Sequence, residues 1–274
     1  GCFIQVHQWG LYMKRKLTLP TLAGLLVCLA ALETDATEGD LITYLPFAVP
    51  SPQDIAYDED DGTFWVVTFL NRTVYHYSSD LSEVLEAFPE PFGQNQYFTG
   101  VAFNSIDHTI LVADSSTGTI FEMDKSGTPT GRNIVPQFLP LANPNGRPIP
   151  MGMAFDPYGD NENGSLYVVE AVGTVVYELN LLGEVIRWFV HPDDPDGFPG
   201  LGSAAPVNHD VTLIHEDDEL VGFYITAGRS DERKIRRLDE NGAYTGTFIS
   251  VEDAGGSVSG FLRRPFSPDG ESDP

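Results

Sequence analysis

The densest group of residues able to do chemistry is the run Asn208-His209-Asp210. A histidine titrates near neutral pH, so His209 beside an amide and a carboxylate has the composition of a general base or a metal ligand. The alternative is structural, because Asn and Asp at the start of a strand commonly accept turn hydrogen bonds while the histidine only lines a channel. Both interpretations place these three residues where a strand begins.

Three acidic runs space carboxylates and a glycine as calcium-binding loops do. They are Asp58 to Gly62, Asp156 to Gly164 and Asp193 to Gly197. None of them ends in the bidentate glutamate that closes a twelve-residue EF-hand loop. Asp-Gly turns between antiparallel strands explain the same residues. The sequence therefore leaves two interpretations open, structural calcium and plain turns.

Other kinds of site are missing from the sequence. It contains no Gly-x-Ser-x-Gly, no His-Glu-x-x-His and no phosphate-binding loop, and His76 and His108 stand singly. The 274 residues carry a formal net charge of −25. So much negative charge repels nucleic acid and anionic membrane surfaces, so we expect no nucleic-acid partner.

The elements that must position these residues repeat along the chain. Thr99 to Asp124 contains three short runs rich in β-branched and aromatic residues, separated by polar turns, which predicts an antiparallel meander. The same phrase starts near Gln53, near Met151 and, more loosely, near Asp210. Equivalent positions in the four copies are Ile55, Val101, Met153 and Val211. Their spacings of 46, 52 and 58 residues lie close to the period of a β-propeller blade, roughly 40 to 50 residues with four strands.

The sequence therefore predicts an all-β fold, a β-propeller of four-stranded antiparallel blades within residues 40–274. The predicted blades span residues 51–90, 97–136, 149–191 and 208–252. Residues 40–47 form a single strand that would complete the last blade, and residues 259–274 resemble the beginning of a further blade. We therefore expect the chain to be a fragment of a six-bladed propeller.

The N-terminal segment has the composition of a secretory signal. Residues 13–36 combine a basic start, an apolar stretch and small residues suited to cleavage, and residues 1–12 are interpreted as non-native upstream sequence. The prediction is a secreted or periplasmic protein, with an uncleaved anchor as the alternative. Leu25 to Cys28 resembles a lipobox apart from Val27, so lipoprotein anchoring is a minor alternative. After cleavage no membrane span and neither cysteine, Cys2 or Cys28, would remain.

The phrase in Thr99 to Asp124 resembles NHL-type repeats and the wider six-bladed group of SMP-30/gluconolactonase-like and TolB-like propellers. The resemblance covers about residues 50–250 and implies the architecture far more strongly than an activity, because one fold hosts many functions. A virginiamycin-lyase-like activity would require an axial histidine and a cation, and the sequence offers no second signal of that kind.

Lactonase-like members of the group imply a divalent cation on the propeller axis, held by Glu, Asn and Asp where the innermost strands begin. Hard oxygen ligands suit calcium, which can polarise an ester carbonyl. The matching positions here are Gln53 or Asp54, Thr99, Met151 and Asn208 to Asp210. Asp54, Asn208 and Asp210 are suitable ligands, whereas Met151 is a poor one and the glutamate expected in the first blade is missing.

The sequence therefore supports two possible functions. The favoured one is a secreted binding or scaffold module for an unidentified small molecule, glycan or protein, which is recognised at the propeller face. The residues expected to bind it are Gln53, Asp54, Thr99, Asn208 and His209. The alternative is a calcium-dependent lactonase or esterase that uses Asp54, Asn208 and Asp210 as metal ligands and His209 as the base.

Overall fold

The structure is a computed structural model that describes residues 3–7, 43–46, 49, 51–93, 96–138, 149–170, 175–190, 210–227, 234–250 and 258–263. These residues are almost entirely β-structure. In chain order the strands are β1 (Phe3–His7), β2 (Thr43–Pro46), β3 (Pro52–Asp58), β4 (Thr63–Thr68), β5 (Thr73–Tyr77), β6 (Val84–Pro89), β7 (Phe98–Asn104), β8 (Thr109–Asp114), β9 (Thr119–Met123), β10 (Pro129–Ile134), β11 (Pro150–Asp156), β12 (Ser165–Glu170), β13 (Val175–Asn180), β14 (Val185–Val190), β15 (Val211–Glu216), β16 (Glu219–Ala227), β17 (Lys234–Asp239), β18 (Tyr244–Ser250) and β19 (Val258–Arg263). A short helical turn, α1 (Gly159–Glu162), precedes β12.

Four antiparallel sheets of four strands each form the body of the protein. They are the meanders β3–β6, β7–β10, β11–β14 and β15–β18, which we number as blades 1 to 4. The innermost strands contact one another in order, β3 with β7, β7 with β11 and β11 with β15. This arrangement is a β-propeller, which confirms the predicted fold class. The strands of the four blades lie within the four predicted ranges.

The burial of the strands follows their distance from the propeller axis. Every residue of β7 and β8 is buried, whereas most residues of the outermost strands β6 and β10 are exposed. Inner strands are covered on both faces by neighbouring blades, which explains why their sequences are nearly continuous apolar runs. The repeated apolar pattern found in the sequence therefore corresponds to the inner strands of each blade.

A fifth, three-stranded sheet lies between blades 4 and 1. Its strand order is β19-β1-β2, and β19 contacts both β15 and β3. Strand β1 pairs in parallel with β19 and antiparallel with β2. The predicted strand near residues 40–47 and the predicted blade start near 259–274 thus contribute to the same sheet. The assignment of residues 1–12 to non-native sequence, the signal at 13–36 and the six-bladed total stay predictions.

Apolar clusters fill the space between successive blades. Trp65, Val67 and Ile110 belong to the cluster between blades 1 and 2. Leu111 and Leu166 belong to the one between blades 2 and 3, and a third joins blades 3 and 4. Burying one large apolar side chain contributes about 1.5 to 3 kcal/mol. These clusters hold the blades together and position the strand ends where a site could form. Among the described residues, no helix has the length and apolar character needed to cross a membrane.

A glycine at the outer turn of a blade fits against the blade before it. Gly127, Gly183 and Gly242 lie between the third and fourth strands of blades 2, 3 and 4, and all three have positive φ. A Cβ atom at Gly127 would overlap the ring of Phe88, and one at Gly242 would overlap the ring of Phe189. These turns therefore need glycine for two reasons, left-handed backbone and close packing.

Candidate functional site

The order of the strands in each meander determines which turns lie at which end of the propeller. Strands β3, β7, β11 and β15 begin at one end, which we call the top end, and the turns from second to third strands lie there too. The turns from first to second strands, including the acidic run Asp58 to Gly62, lie at the opposite bottom end. Gln53, Asp54 and Thr99, which were predicted to bind a ligand, lie at the beginnings of β3 and β7 and therefore at the top end.

The equivalent positions on the axis carry aspartate in blades 1 and 4 and glycine in blades 2 and 3. Asp54 in blade 1 and Asp210 in blade 4 occupy the position that Gly100 and Gly152 occupy in blades 2 and 3, one residue before the equivalent apolar residues. A Cβ atom at Gly100 would overlap the carbonyl oxygen of Met151. Gly100 therefore allows the inner strands β7 and β11 to approach closely.

Asp54 joins three blades through backbone amides. Its Oδ2 accepts the N–H of Val101 at 2.8 Å and the N–H of Met153 at 3.4 Å, and its Oδ1 accepts the N–H of Ile55 at 2.8 Å. The residue is only 1% exposed. A carboxyl group bound in this way contributes mainly to structure, because its oxygens already accept hydrogen bonds from the protein.

Asp210 adds the fourth blade to this cluster. Its side chain accepts the N–H of Val211 at 2.8 Å, and its backbone N–H donates to the Thr226 hydroxyl at 2.7 Å. The side chains of Asp54 and Asp210 share a hydrogen bond, and burial raises the pKa of Asp54 to about 7 although the amides and Asp210 lower it. Two carboxyl groups in contact cannot both stay charged at low cost, so we treat them as a pair that holds one proton.

The other predicted residues behave differently. Gln53 turns its amide back to the carbonyl of Pro52 at 3.2 Å, and the buried Thr99 donates its hydroxyl to the carbonyl of Pro150 at 2.7 Å. Asn208 and His209 lie outside the described residues. The structure thus brings Asp54 and Asp210 together and uses Thr99 to join blades 2 and 3. The ligand-binding roles of all these residues stay predictions.

The described donors do not make a calcium shell. Calcium takes about six to eight oxygen ligands, but both oxygens of Asp54 already accept backbone N–H groups and the Thr99 hydroxyl donates to a carbonyl. Among the residues that the structure describes, no group of three or more His, Cys, Asp and Glu side chains could hold a metal ion. Asn208 lies outside the described residues, so the metal roles predicted for Asp54, Asn208 and Asp210 stay predictions, and we derive no metal-dependent step from them.

At the bottom end, a lysine from blade 2 binds the first acidic turn. Lys125 Nζ lies 2.7 Å from Asp58 Oδ1, 2.9 Å from Asp60 Oδ2 and 3.5 Å from Asp61 Oδ2. Partial burial opposes the change, but the hydrogen bonds from Lys125 and His108 lower the pKa of Asp60. The turn therefore already has an ammonium group among its carboxylates.

The second acidic run also makes internal hydrogen bonds. Asp156 Oδ1 accepts the N–H of Tyr158 at 3.0 Å and contacts His215 Nε2 at 3.1 Å. The first contact is that of a turn between strands, whereas the second joins blade 3 to β15 of blade 4. The third run, residues 193–197, lies outside the described residues, and structural calcium in these loops stays a prediction.

An aromatic and apolar surface that the sequence did not predict lies at the top end, between blades 1 and 2. Phe69, Leu70, Arg72 and Tyr97 form this surface, which we call the top-end patch. The Phe69 and Tyr97 rings stack with centroids 4.8 Å apart, and the Arg72 guanidinium lies 5.3 Å from the Tyr97 centroid. Leu70 is 69% exposed and Tyr97 is 38% exposed. A Phe-Leu pair directly after a strand, where polar turn residues are common, was the available signal.

Comparisons with known proteins give only distant structural similarities. No protein-family model and no curated protein matches the sequence. A virginiamycin B lyase structure from Staphylococcus aureus is 16% identical over 79% of this chain and 61% of that chain, with a TM-score of 0.44. The hydrazine synthase of Kuenenia stuttgartiensis is 14% identical over 76% and 51%, with a TM-score of 0.45.

A further similar structure is a protein of unknown function from Bacteroides caccae. It is 14% identical over 78% of this chain and 66% of that chain, with a TM-score of 0.44. This chain spans about half to two thirds of the length of these three proteins. Likeness at this level concerns the fold, and the four blades described above establish the β-propeller from their own sheet order.

Proposed function

We propose that the protein is an exported binding module that recognises its partner at the top end of the propeller. The observation that carries this proposal is a division of roles at that end. The axial carboxyl groups of Asp54 and Asp210 are buried and bound by backbone amides, whereas Leu70 and Tyr97 are exposed at the same end of the propeller. Buried and satisfied groups stabilise a fold, and exposed aromatic and apolar groups are available for contact.

The composition of the top-end patch supports recognition. Tyr and Arg are the residues most enriched among those that dominate binding energy, and Tyr97 and Arg72 lie in contact there. Arg72 also pairs with Glu90, which holds the guanidinium in place at 3.1 Å. Gln53, one of the residues predicted to bind a ligand, lies at the start of β3 at the same end. The resemblance to NHL-type, SMP-30-like and TolB-like propellers is part of this proposal, and it rests on the sequence pattern in Thr99 to Asp124.

A matched pair of tyrosines tests the proposal. Tyr97 is 38% exposed in the patch, and Tyr244 is 42% exposed on the outermost strand of blade 4. The full chain is immobilised and screened with a random twelve-residue peptide phage library and with a glycan array. We expect Tyr97→Ala to weaken capture at least tenfold, and Tyr244→Ala to leave it unchanged.

The same preparation addresses the hydrolase alternative. Lactones and aryl esters are assayed with calcium and with chelator, on the wild type and on Asp210→Ala. Capture that depends on Tyr97, without turnover, supports the binding module. Calcium-dependent turnover that Asp210→Ala abolishes would instead support the hydrolase, and the absence of any ligand that depends on Tyr97 would overturn the proposal.

A further inference from the structure

The outermost strand of blade 3 differs from the outermost strands of the other three blades. Strand β14 forms one edge of its sheet, and among the described residues only β13 pairs with it. The other outer strands contain proline or glycine: Pro89 in β6, Pro129 and Gly131 in β10, and Gly246 in β18. Strand β14 contains neither, and five of its six residues are apolar. Proline, irregular backbone and charged side chains are what usually prevent an exposed edge from pairing with another chain, so β14 is the least protected edge of the four.

The single charged side chain of β14 is held against the body of the protein. Arg187 Nε pairs with the buried carboxylate of Glu178 at 2.5 Å, and its Nη2 donates to the hydroxyl of the buried Tyr167 at 2.5 Å. Its Nη1 donates to the carbonyl of Glu240 in blade 4 at 2.6 Å. Because these bonds fix the guanidinium between blades 3 and 4, Arg187 does not protect the edge as a solvated charge does.

Strand β14 also carries exposed apolar side chains. Trp188 is 45% exposed and Ile186 is 44% exposed. Trp188 lies opposite Tyr177 of β13, and the ring of Phe138 stacks on the Tyr177 ring with centroids 4.5 Å apart. Tryptophan is among the residues that most often dominate binding energy. An exposed tryptophan on an open strand edge therefore combines an apolar anchor with unpaired main-chain groups.

The charges around β14 favour a basic partner. Glu184 directly precedes the strand and is exposed, and the exposed Glu240 lies beside the strand because its carbonyl accepts Arg187. Glu178 neutralises the charge of Arg187, so the surroundings of the strand are negative, as is the whole chain with its formal net charge of −25. Two copies of the chain repel each other for this reason, whereas a segment with lysine or arginine next to apolar residues is complementary to the edge.

We propose that β14 binds an extended basic peptide as an additional strand of blade 3. The main-chain groups of β14 that point away from β13 pair with the main chain of the peptide. An apolar side chain of the peptide contacts Trp188, and its basic side chains lie in the negative field of Glu184 and Glu240. This site lies on the outer edge of blade 3, whereas the top-end patch lies between blades 1 and 2, so it is a second binding surface beyond the proposed function.

Fluorescein-labelled heptapeptides that alternate lysine and valine test this site on the full chain. Fluorescence polarisation compares the parent peptide with one in which glutamate replaces every lysine, which should bind at least about tenfold more weakly. Two N-methylated forms carry the methyl groups either on all valines or on all lysines. Alternate residues of a strand direct their N–H groups to opposite edges, and an added strand uses one edge. We therefore expect one N-methylated form to bind at least about tenfold more weakly and the other to bind like the parent.

Two variants with the same change of charge locate the site. Ile186→Lys removes an apolar contact on β14 and repels the lysine peptide, so it should weaken binding about fivefold. Leu85→Lys makes the same change of charge on β6, at a residue that is 45% exposed, and should bind the peptide like the wild type. Trp188→Ala should weaken binding about tenfold, whereas Tyr244→Ala, at an exposed aromatic residue of β18, should not. Melting temperatures check that all four variants are folded.

Several results would overturn this assignment. They are the absence of binding by the lysine peptide, equal binding of the glutamate peptide, equal effects of the two N-methylations, and equal effects of Ile186→Lys and Leu85→Lys. Sedimentation of the chain without peptide tests a competing occupant, since a dimer that Trp188→Ala disrupts would show that β14 pairs with a second copy. Tyr97→Ala should leave binding of the lysine peptide unchanged, so failure at β14 is distinguishable from failure of the function proposed for the top-end patch.

Discussion

Asp54 Oδ2 in blade 1 lies 2.8 Å from the amide nitrogen of Val101 in blade 2, although 47 residues separate them in the chain. The same oxygen accepts the amide of Met153 in blade 3, and the carboxyl group contacts Asp210 of blade 4. One buried side chain therefore links the innermost strands of all four blades. Its removal should destabilise the whole propeller, since backbone N–H groups of three blades lose their acceptor.

Asp54→Ala should destabilise the fold strongly. The substitution leaves the backbone N–H groups of Ile55, Val101 and Met153 without their acceptor, and we expect a loss of about 3 kcal/mol or more in the free energy of unfolding. Gln53→Ala is the control, because the amide of Gln53 bonds only to neighbouring carbonyls and should cost about 0.5 kcal/mol. Urea denaturation measures both, and similar losses would contradict the role assigned to Asp54.

The pH dependence of the free energy of unfolding should report the titration of the axial pair Asp54 and Asp210. Burial raises the pKa of Asp54 from 3.8 to about 7 in the folded protein. Between about pH 4 and pH 7 the folded state therefore binds a proton that the unfolded state has lost, so the contribution of Asp54 to the free energy of unfolding falls as pH rises through this window. Asp54→Asn, which cannot titrate, should flatten this part of the profile.

A carboxylate with the opposite shift provides the contrast. Hydrogen bonds from Ser78 and Ser82 lower the pKa of Asp80 to about 2. Its contribution is present above the unfolded pKa and is lost as pH falls towards 2, so Asp80→Asn should change only the acid end of the profile. If Asp54→Asn left the slope between pH 4 and pH 7 unchanged, the shared-proton interpretation would be wrong.

The sequence predicted the blades because strand composition and turn spacing are local properties. Burial on both faces makes inner strands such as β8 continuously apolar, and that pattern is visible without any tertiary information. The role of Asp54 was not visible, because its partners Val101 and Met153 lie in other blades and offer backbone atoms, which have no sequence signature. The sequence predicted that Asp54 lies near the axis, but its hydrogen bonds there depend on how the blades pack.

The top-end patch was missed for a related reason. Leu70 follows a strand and precedes Asn71, so it has the appearance of an ordinary turn residue, and its exposure becomes clear only in the folded chain. The stacking of Phe69 on Tyr97 joins two blades across residues that sequence spacing does not relate. Contacts between blades are therefore the part of the site that a single sequence leaves undetermined.

Alanine at an outer-turn glycine should destabilise the fold through steric overlap as well as backbone strain. Gly131 is a control for the backbone strain alone. Gly127 and Gly131 both have positive φ, at 81° and 86°, but a Cβ atom at Gly127 would overlap the Phe88 ring while one at Gly131 meets nothing within 4 Å. We expect Gly131→Ala to cost about 1 kcal/mol from backbone strain alone and Gly127→Ala to cost about 2 kcal/mol or more. Thermal and urea unfolding compare the two variants, and equal costs would show that packing against Phe88 contributes nothing.

The ion pair between the buried Glu178 and the partly exposed Arg187 of blade 3 gives the last prediction. Glu178 is buried, accepts the Ser165 hydroxyl at 2.9 Å and pairs with Arg187 Nε at 2.5 Å, and Arg187 also donates to the Tyr167 hydroxyl. Arg187→Met keeps much of the aliphatic packing but leaves the buried carboxylate without its cation, so we expect a loss of about 2 to 3 kcal/mol in the free energy of unfolding.

The pair between Arg72 and Glu90 is the matched control, because its carboxylate is partly exposed: the Glu90 side chain is 35% exposed, whereas that of Glu178 is 8% exposed. Arg72→Met should cost about 1 kcal/mol or less, since solvent screens an exposed pair and hydrates the remaining carboxylate. The double variant Glu178→Gln with Arg187→Met should recover part of the loss seen for Arg187→Met, because no unpaired charge then stays buried. Equal destabilisation by Arg187→Met and Arg72→Met would show that burial does not govern the energy of these pairs.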